Sequence, residues 1–273
     1  MKKNILYIII VAISTMLIAS CNRDGSYIAT YQTDNGNMSY LKIIHASPYF
    51  RNTFAKPDSF NIYINNNKVN SPFLTYGGVF PSSSSNYGYI GLTAGVQQIR
   101  LSVNGINNVD SLTIAQYTTA FGNSSYYTWV ITDSINSTNT AAQIVTKDTL
   151  NPVLAGYYNL RFINAVYSDS AAPLGASVSK NMDLFSYSRN AVLISNIAPS
   201  GVTKFYSLNT NIGVADTLYV TRNAATTVPL SSRVVLAKLA ITPLNRNYTL
   251  YYMGDATLAS GTKAKKLLFM ANQ

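Results

Sequence analysis

The sequence predicts an all-β protein in which a signal peptide and a flexible tether precede two tandem immunoglobulin-like, antiparallel β-sandwich domains. Three observations support this fold class. The 273 residues include 21 tyrosines and no glutamate, a composition that favours strands and turns over helices. Apolar and polar side chains alternate with the two-residue period of half-buried strands. Strand-like sequence also recurs at intervals of 119 and 121 residues.

Residues 1–20 have the pattern of a secretory signal peptide. Lys2 and Lys3 supply positive charge, and residues 5–18 form an apolar run that is too short for a stop-transfer helix. Residues 17–21, Leu-Ile-Ala-Ser-Cys, resemble a lipobox, after which a bacterial lipoprotein is cleaved and acylated. Cys21 is the single cysteine of the chain, and we predict that it carries the acyl chains, palmitate included, that anchor the mature protein to membrane lipid. An ordinary signal peptide with a fortuitous cysteine is the alternative.

Residues 21–37 are predicted to be the lipid anchor and its tether. From residue 22 onwards this segment is rich in Asn, Asp, Gly, Ser and Thr and has no apolar periodicity. The lipobox implies the cell envelope of a Gram-negative bacterium, and we predict the outer membrane as the location. Asp24 is the one acid close to Cys21, so both the cell surface and the periplasmic face stay open.

The basic charge of the chain indicates a solvated surface. Removal of Lys2 and Lys3 with the signal leaves 18 basic against 10 acidic residues, a net charge of +8. The positive charges are scattered singly, and the densest group is Lys263, Lys265 and Lys266. We therefore predict no polyanion site and no nucleic-acid partner.

Two short segments of the mature chain recur. Residues 41–46, Leu-Lys-Ile-Ile-His-Ala, return as residues 160–165, Leu-Arg-Phe-Ile-Asn-Ala, and Tyr127-Thr128 returns as Tyr248-Thr249. The two intervals are nearly equal, which indicates a duplicated domain. We place domain 1 at residues 38–149 and domain 2 at residues 150–273.

Strands within each copy are predicted from apolar side chains at every second position. In the first copy these positions are Phe60, Ile62 and Ile64, then Ile99, Leu101 and Val103, then Tyr127, Trp129 and Ile131. Clusters of Asn and Gly between them suit tight turns, because both residues tolerate positive φ. Two antiparallel sheets packed face to face bury such a pattern best, which predicts one sandwich per copy.

Residues 44–48, Ile-His-Ala-Ser-Pro, resemble the end of a strand in a bacterial domain family of unknown function. Residues 58–64, Asp-Ser-Phe-Asn-Ile-Tyr-Ile, resemble its next strand, and the Tyr127-Thr128 strand follows in that family's order. The resemblance covers nearly all of domain 1 and is divergent in domain 2, where residues 164–167 are Asn-Ala-Val-Tyr. It implies immunoglobulin-like sandwiches on secreted or lipid-anchored proteins and no particular activity. The motif residues, to which we assign a structural role, are His45, Ala46, Ser47 and Pro48.

The sequence offers little for catalysis. His45 is the single histidine, so a three-histidine metal site is excluded, and a Ser-His-Asp relay would lack the Gly-x-Ser-x-Gly turn that presents a serine. Pro48 keeps the chain extended after His45, which favours a hydrogen-bonding role at a strand end. All acids are Asp, without an Asp-x-Asp pair, and phosphate-binding glycine loops are absent. We predict no enzyme, no metal site and no cofactor.

Aromatic side chains are the richer candidates for binding. Those that could stack on sugar rings, if they are exposed on a sheet face, are Tyr126, Trp129, Tyr251 and Tyr87. The alternative is that they pair across strands and are half-buried.

Asp followed by Ser or Thr and then an aliphatic residue or Ala occurs five times and resembles an acceptor motif for O-linked glycosylation of exported proteins. The hydroxyl residues concerned are Ser111, Ser134, Thr149, Ser170 and Thr217. The alternative is that these pairs open strands after turns, where their side chains bond to nearby backbone.

We predict a non-catalytic, lipid-anchored envelope protein that presents two sandwiches for binding of a glycan or another envelope protein. A structural spacer or surface-assembly subunit with no ligand of its own is the alternative. A hydrolase is a third class, and it would require Asp residues that converge in one cleft.

Overall fold

The computed structural model describes residues 36–49, 59–82, 88–104, 110–132, 143–168, 180–209 and 214–272. These residues form strands, with a single 3-10 turn at Leu230–Ser232 as the helical element among them. No helix in these ranges is long and apolar enough to cross a membrane. The predicted signal peptide, Cys21 and nearly all of the tether lie outside them.

The described residues of the first half of the chain form ten strands. They are β1 (Met38–His45), β2 (Ser59–Ile64), β3 (Asn67–Lys68), β4 (Leu74–Thr75), β5 (Val79–Phe80), β6 (Ile90–Thr93), β7 (Gly95–Asn104), β8 (Asp110–Phe121), β9 (Ser125–Ile131) and β10 (Ile144–Asp148). One sheet has the order β10-β9-β1-β5, with β6 also on β1, and the other has the order β3-β2-β7-β8, with β4 on β2. Apolar side chains of both sheets form one hydrophobic core between them.

Eight strands lie in the described part of the second half. They are β11 (Tyr157–Ser168), β12 (Met182–Ser186), β13 (Ala191–Ile197), β14 (Tyr206–Asn209), β15 (Asp216–Arg222), β16 (Val235–Ile241), β17 (Asn247–Asp255) and β18 (Lys266–Ala271). The sheet orders are β14-β11-β17-β18 and β13-β12-β15-β16, and a second hydrophobic core lies between these sheets. The prediction of an all-β sandwich fold is therefore confirmed.

The apolar positions predicted from strand alternation lie in the first core. Phe60, Ile62, Ile99, Leu101 and Trp129 are all at most 1% exposed. Alternation did not predict the direction of every pairing. In the sheet that contains β1, strand β1 runs parallel to β9 over seven residue pairs, and β11 likewise runs parallel to β17.

A third hydrophobic cluster joins the two halves. It contains residues of β1, β9 and β10 from the first half and of β11, β17 and β18 from the second. The sheets β10-β9-β1-β5 and β14-β11-β17-β18 therefore pack against each other, and we call them the inner sheets. The other two are the outer sheets, so the chain is built as four layers. Residues 34–273 form one compact unit.

Candidate functional site: the interface of the inner sheets

The interface arises because the central strands of the inner sheets are buried on both faces. In β1, Leu41 and Ile43 point into the first sandwich core, while Ile44 and Ala46 belong to the third cluster. In β11, Leu160 and Phe162 point into the second core, and Ile163 belongs to the third cluster. Successive side chains of a strand point to opposite faces. A run with apolar residues on both faces is typical of a strand covered on both sides.

The two halves contribute equivalent register positions to the interface. Ile44 pairs with Val130 on β9 and with Val79 on β5. Ile163 pairs with Tyr251 on β17 and forms a bridge to Val202. Lys42 lies opposite Thr128, and Arg161 lies opposite Thr249. Both inner sheets therefore carry an isoleucine beside a valine on one side, and a cation opposite a threonine two residues earlier in the same strand.

A buried ion pair crosses the interface. Arg161 of β11 donates from Nη1 to Asp148 Oδ1 of β10 at 2.5 Å, and their side chains are 1% and 0% exposed. Arg161 also donates from Nη2 to the Thr128 hydroxyl and from Nε to the Thr249 hydroxyl, both at 2.7 Å. The guanidinium thus contacts both inner sheets.

The partners of the ion pair are themselves satisfied. Asp148 Oδ2 accepts hydrogen bonds from the hydroxyls of Thr128, at 2.7 Å, and Tyr89, at 2.8 Å. The Thr249 hydroxyl donates to Asn272 Oδ1, and Asn272 Nδ2 donates to the Tyr89 oxygen. The donors and acceptors form one consistent network. A buried network of this kind is stabilising only when each polar group has a hydrogen-bond partner. Removal of one member leaves a buried polar or charged group without its partner, which destabilises the folded state.

Lys42 lies at the edge of this network. Lys42 is only 2% exposed. Its Nζ donates a hydrogen bond to the Ala271 carbonyl at 3.0 Å and lies 4.7 Å from the centroid of the Tyr89 ring. Burial lowers the pKa of Lys42 to about 8; the Asp148 carboxylate opposes this shift and the Arg161 guanidinium adds to it. Burial also raises the pKa of the Tyr89 phenol, and the nearby Asp148 carboxylate adds to that shift.

These contacts correct the interpretation that the basic residues form a solvated surface. Lys42, Arg161 and Arg233 are buried, at 2%, 1% and 7% exposed. Arg233 donates to Asp183 Oδ2 at 2.8 Å, with both side chains at 0% exposure. Each of these two arginines can be buried because a carboxylate neutralises it; the aspartate is 13 residues away from Arg161 and 50 residues away from Arg233. The sequence signal was a lone cation in an apolar strand, as in Leu-Lys-Ile-Ile and Leu-Arg-Phe-Ile.

The motif residues His45, Ala46, Ser47 and Pro48 are buried at the end of β1. The His45 ring centroid lies 4.8 Å from that of Phe60 and 5.7 Å from that of Tyr76. The His45 backbone N–H donates to Gly78 O, and its carbonyl accepts from Gly77 N. In the second half, Asn164 makes the same two backbone bonds with Gly201 and Ser200. The surroundings of the histidine ring are those of a core side chain.

The structure separates the four predicted stacking aromatics. Trp129 is 1% exposed in the first core, and Tyr251 is 2% exposed and donates to Gly77 O. Because β9 and β17 are central strands of the inner sheets, these two rings present no face for an external sugar, and the prediction is wrong for them. Tyr126 is half-buried and stacks on Tyr40 with ring centroids 4.6 Å apart. Tyr87 lies outside the described residues.

The predicted O-glycosylation residues lie in different surroundings. Thr149 is exposed after β10 and Thr217 is half-buried in β15. Ser111 belongs to β8, but its side chain is outside the description, and Ser134 and Ser170 are outside the described residues altogether.

The aspartates that precede two of these residues have structural partners. Asp148 belongs to the interface network, and Asp216 accepts hydrogen bonds from the Ser186 hydroxyl at 2.6 Å and from the Ser188 N–H at 2.9 Å. These bonds give the Asp-Thr pairs a structural reason, and glycosylation stays a prediction.

The sequence reasoning missed an aromatic pair in which Tyr187 is exposed and Tyr219 is half-buried. Tyr187 follows β12 and is 65% exposed, and its ring centroid lies 6.4 Å from that of Tyr219 on β15. Tyr219 occupies an outward position between the core residues Leu218 and Val220. That alternation was the available signal, although the turn that brings Tyr187 beside it has no clear mark in the sequence.

Comparison with known proteins finds a family match for part of the chain. Residues 39–172 match the family described as a domain of unknown function, DUF4397. The DUF4397 match begins in β1 and extends past β11, so it covers the first sandwich and the leading strand of the second. Over these residues the predicted resemblance to a domain family of unknown function is confirmed. The repeat of the domain in the second half stays a prediction.

Other comparisons are more distant. No curated protein matches the sequence. Among solved structures, the chain is similar to a leucine-rich repeat protein from Bacteroides thetaiotaomicron VPI-5482, with 10% sequence identity and a TM-score of 0.17. The alignment covers 78% of this chain and 26% of that one, so this chain spans about a quarter of its length.

Proposed function

We propose that this protein is a non-catalytic, lipid-anchored structural component of the bacterial cell envelope, a spacer whose two sandwiches act as one body. The observation that carries the proposal is the buried interface of the inner sheets. Tandem domains joined by a linker alone move relative to each other unless their contact is large and apolar. Here an apolar cluster and the Arg161–Asp148 ion pair occupy that contact.

The interface network is suited to cohesion rather than to chemistry. A catalytic acid or base must reach a substrate, whereas Arg161 is 1% exposed and Asp148 is 4% exposed. The hydrogen bonds of both groups are directed at other members of the network. A small depression elsewhere is lined mainly by apolar side chains, among them Leu160, Ile241 and Phe269, together with Thr242 and Tyr248. Its lining contains none of the Asp residues that the hydrolase alternative would require.

A second candidate function is glycan binding through the exposed Tyr187 and the half-buried Tyr219 beside it. Tyrosine rings present flat apolar faces to sugars, and Tyr187 is among the exposed large side chains. This candidate replaces the buried Trp129 and Tyr251 as the place where an aromatic platform would form.

The membrane anchor is proposed at Cys21. Metabolic labelling with a palmitate analogue should label the wild-type protein and fail to label Cys21→Ser, and the variant should leave the membrane fraction. Labelling of the variant, or its retention in membranes, would contradict the anchor.

A polysaccharide panel separates the spacer from the binding protein. We expect no saturable binding by calorimetry for the wild-type lipoprotein in detergent and the same result for Tyr187→Ala. Saturable binding that Tyr187→Ala abolishes would establish the second candidate and overturn the spacer proposal. Saturable binding that survives in Tyr187→Ala would overturn both.

A further inference from the structure

One edge of the outer sheet of the first half has a regular, uncharged stretch, Ala115 to Phe121 of strand β8. Strand β8 is the last strand of the order β3-β2-β7-β8, and within the described part of the chain it pairs only with β7. Its register with β7 is regular over the seven pairs from Gly95↔Phe121 to Leu101↔Ala115. A strand paired on one side presents a row of free N–H and C=O groups on the other.

Other edges in the described ranges carry the features that discourage pairing between proteins. Charged residues occur on three edge strands, as Lys147 on β10, Lys238 on β16 and Lys266 on β18. The edge strands β3 and β5 have two residues each, β14 has four, and β13 has register shifts against its neighbour. Short strands, lysines and irregular register are the usual protections of a sheet edge. From Ala115 to Phe121 strand β8 has none of them, and its register against β7 shifts only before Ala115, at Leu101/Ser102 and Val103/Asn104.

We propose that β8 is a self-association edge, which pairs antiparallel with β8 of a second copy of this chain. In a two-fold antiparallel pair, residue i of one copy meets residue j of the other and j meets i, so a charge near the centre of the paired stretch would lie close to the same charge of the second copy. The chain has a formal net charge of +10, yet residues 111–132 contain no Asp, Glu, Lys or Arg. This neutral stretch is therefore where two copies meet without like-charge repulsion.

The side chains of β8 are compatible with such a pair. Gln116, Thr118 and Ala120 are exposed on the outer face, and Ala115 and Tyr117 are buried in the first core. Pairing of two β8 strands joins the two outer sheets into one continuous sheet, with neutral side chains opposite each other on the outside and the cores continuing on the inside. Cross-strand Thr and Gln neighbours are favourable or neutral in antiparallel sheets.

The proposal deepens the structural role proposed above and can fail separately from it. A protein that is monomeric would overturn the β8 pairing and leave the anchored spacer standing. Glycan binding would overturn the spacer and leave the β8 pairing standing, because Tyr187 and β8 lie on different outer sheets.

The test uses the full lipoprotein in detergent, analysed by sedimentation velocity over a range of concentrations. We expect a monomer–dimer equilibrium for the wild type and a dissociation constant raised about tenfold or more in Thr118→Lys, because the two-fold contact places two like charges close together. The matched control is Gln98→Lys. Gln98 lies directly opposite Thr118 on the interior strand β7, so this variant adds the same charge one strand away from the edge and should leave the dimer intact.

Hydrogen exchange of the wild type locates the contact without any variant. Backbone amides of residues 113–121 that point away from β7 should exchange more slowly at high than at low protein concentration. A monomer at all concentrations, a dimer with no concentration-dependent protection in β8, or an equal effect of both lysine variants would overturn the proposal.

Discussion

Arg161→Ala is expected to destabilise the whole unit of residues 34–273, because Arg161 is the one cation bonded directly to Asp148 in the described network. The variant leaves the Asp148 carboxylate buried beside the hydroxyls of Thr128 and Tyr89. Removal of one partner of a buried ion pair costs about 3–5 kcal/mol. For a unit of this size, about 2–4 °C is lost for each kcal/mol, so the melting temperature should fall by roughly 6–20 °C.

The assay is urea and thermal unfolding followed by circular dichroism. The matched control is Arg100→Ala, since Arg100 is half-buried and its guanidinium carbon lies 3.9 Å from the centroid of the Tyr63 ring. Loss of an exposed cation–π contact costs about 0.5–1 kcal/mol. An Arg161→Ala protein within about 1 kcal/mol of the wild type would refute the view that the ion pair holds the inner sheets together.

The cooperativity of unfolding provides a second readout. If the interface joins both sandwiches into one unit, the wild type should unfold in a single transition and Arg161→Ala in two. A double-mutant cycle of Arg161→Ala with Asp148→Ala should give an interaction free energy of at least about 1 kcal/mol, because the effects of substitutions within one hydrogen-bond network do not add. Strict additivity would show that the two side chains act independently.

Two further variants probe burial and backbone geometry. Burial lowers the folded pKa of Lys42 to about 8 from 10.5. Above pH 8 the unfolded chain therefore binds more protons than the folded protein, and Lys42 makes the free energy of unfolding rise with pH, by about 2 kcal/mol between pH 8 and 10. Above pH 10 the raised pKa of Tyr89 makes the free energy of unfolding fall as pH rises. Lys42→Met should remove that rise in denaturant titrations, and an unchanged pH dependence would contradict the assignment. Gly254→Ala should destabilise by about 1–3 kcal/mol more than Gly95→Ala. Both glycines have φ near +108°, but a Cβ at Gly254 would lie 2.5 Å from the Ala264 carbonyl oxygen, whereas Gly95 faces open space. Equal unfolding midpoints in urea would show that this close approach relaxes.

The sequence was sufficient to predict the fold class because strand alternation depends only on neighbouring residues. Ile99, Leu101 and Val103 were assigned to a core because they occupy every second position of a strand, and they are buried there. The parallel pairs β1–β9 and β11–β17 could not be predicted in that way. Parallel pairing brings together segments that are more than 80 residues apart, and no local pattern encodes which segments meet.

The candidate site was missed for the same physical reason. Arg161 and Asp148 are only 13 residues apart, but they lie on different inner sheets, and their contact depends on the packing of two sandwiches. A scattered cation looks like a surface residue unless its neighbours in the strand are considered. Trp129 was predicted both as a core position, from strand alternation, and as a stacking aromatic, from the aromatic cluster, and its burial in a central strand supports the first.

The segment that repeats most clearly is also the strand that is buried on both faces. In residues 41–46 and 160–165, one set of alternate side chains faces a sandwich core and the other set faces the partner inner sheet. Packing therefore constrains the side chains on both faces of this strand, whereas a strand with one face in solvent is constrained at only half of its positions. The cation within each repeat, Lys42 and Arg161, follows from the same geometry. A side chain that must cross a buried contact is retained when it has polar partners, and Arg161 with its five donors reaches both sheets. The repeat in the sequence and the cohesion of the unit thus have one cause, the interface between the inner sheets.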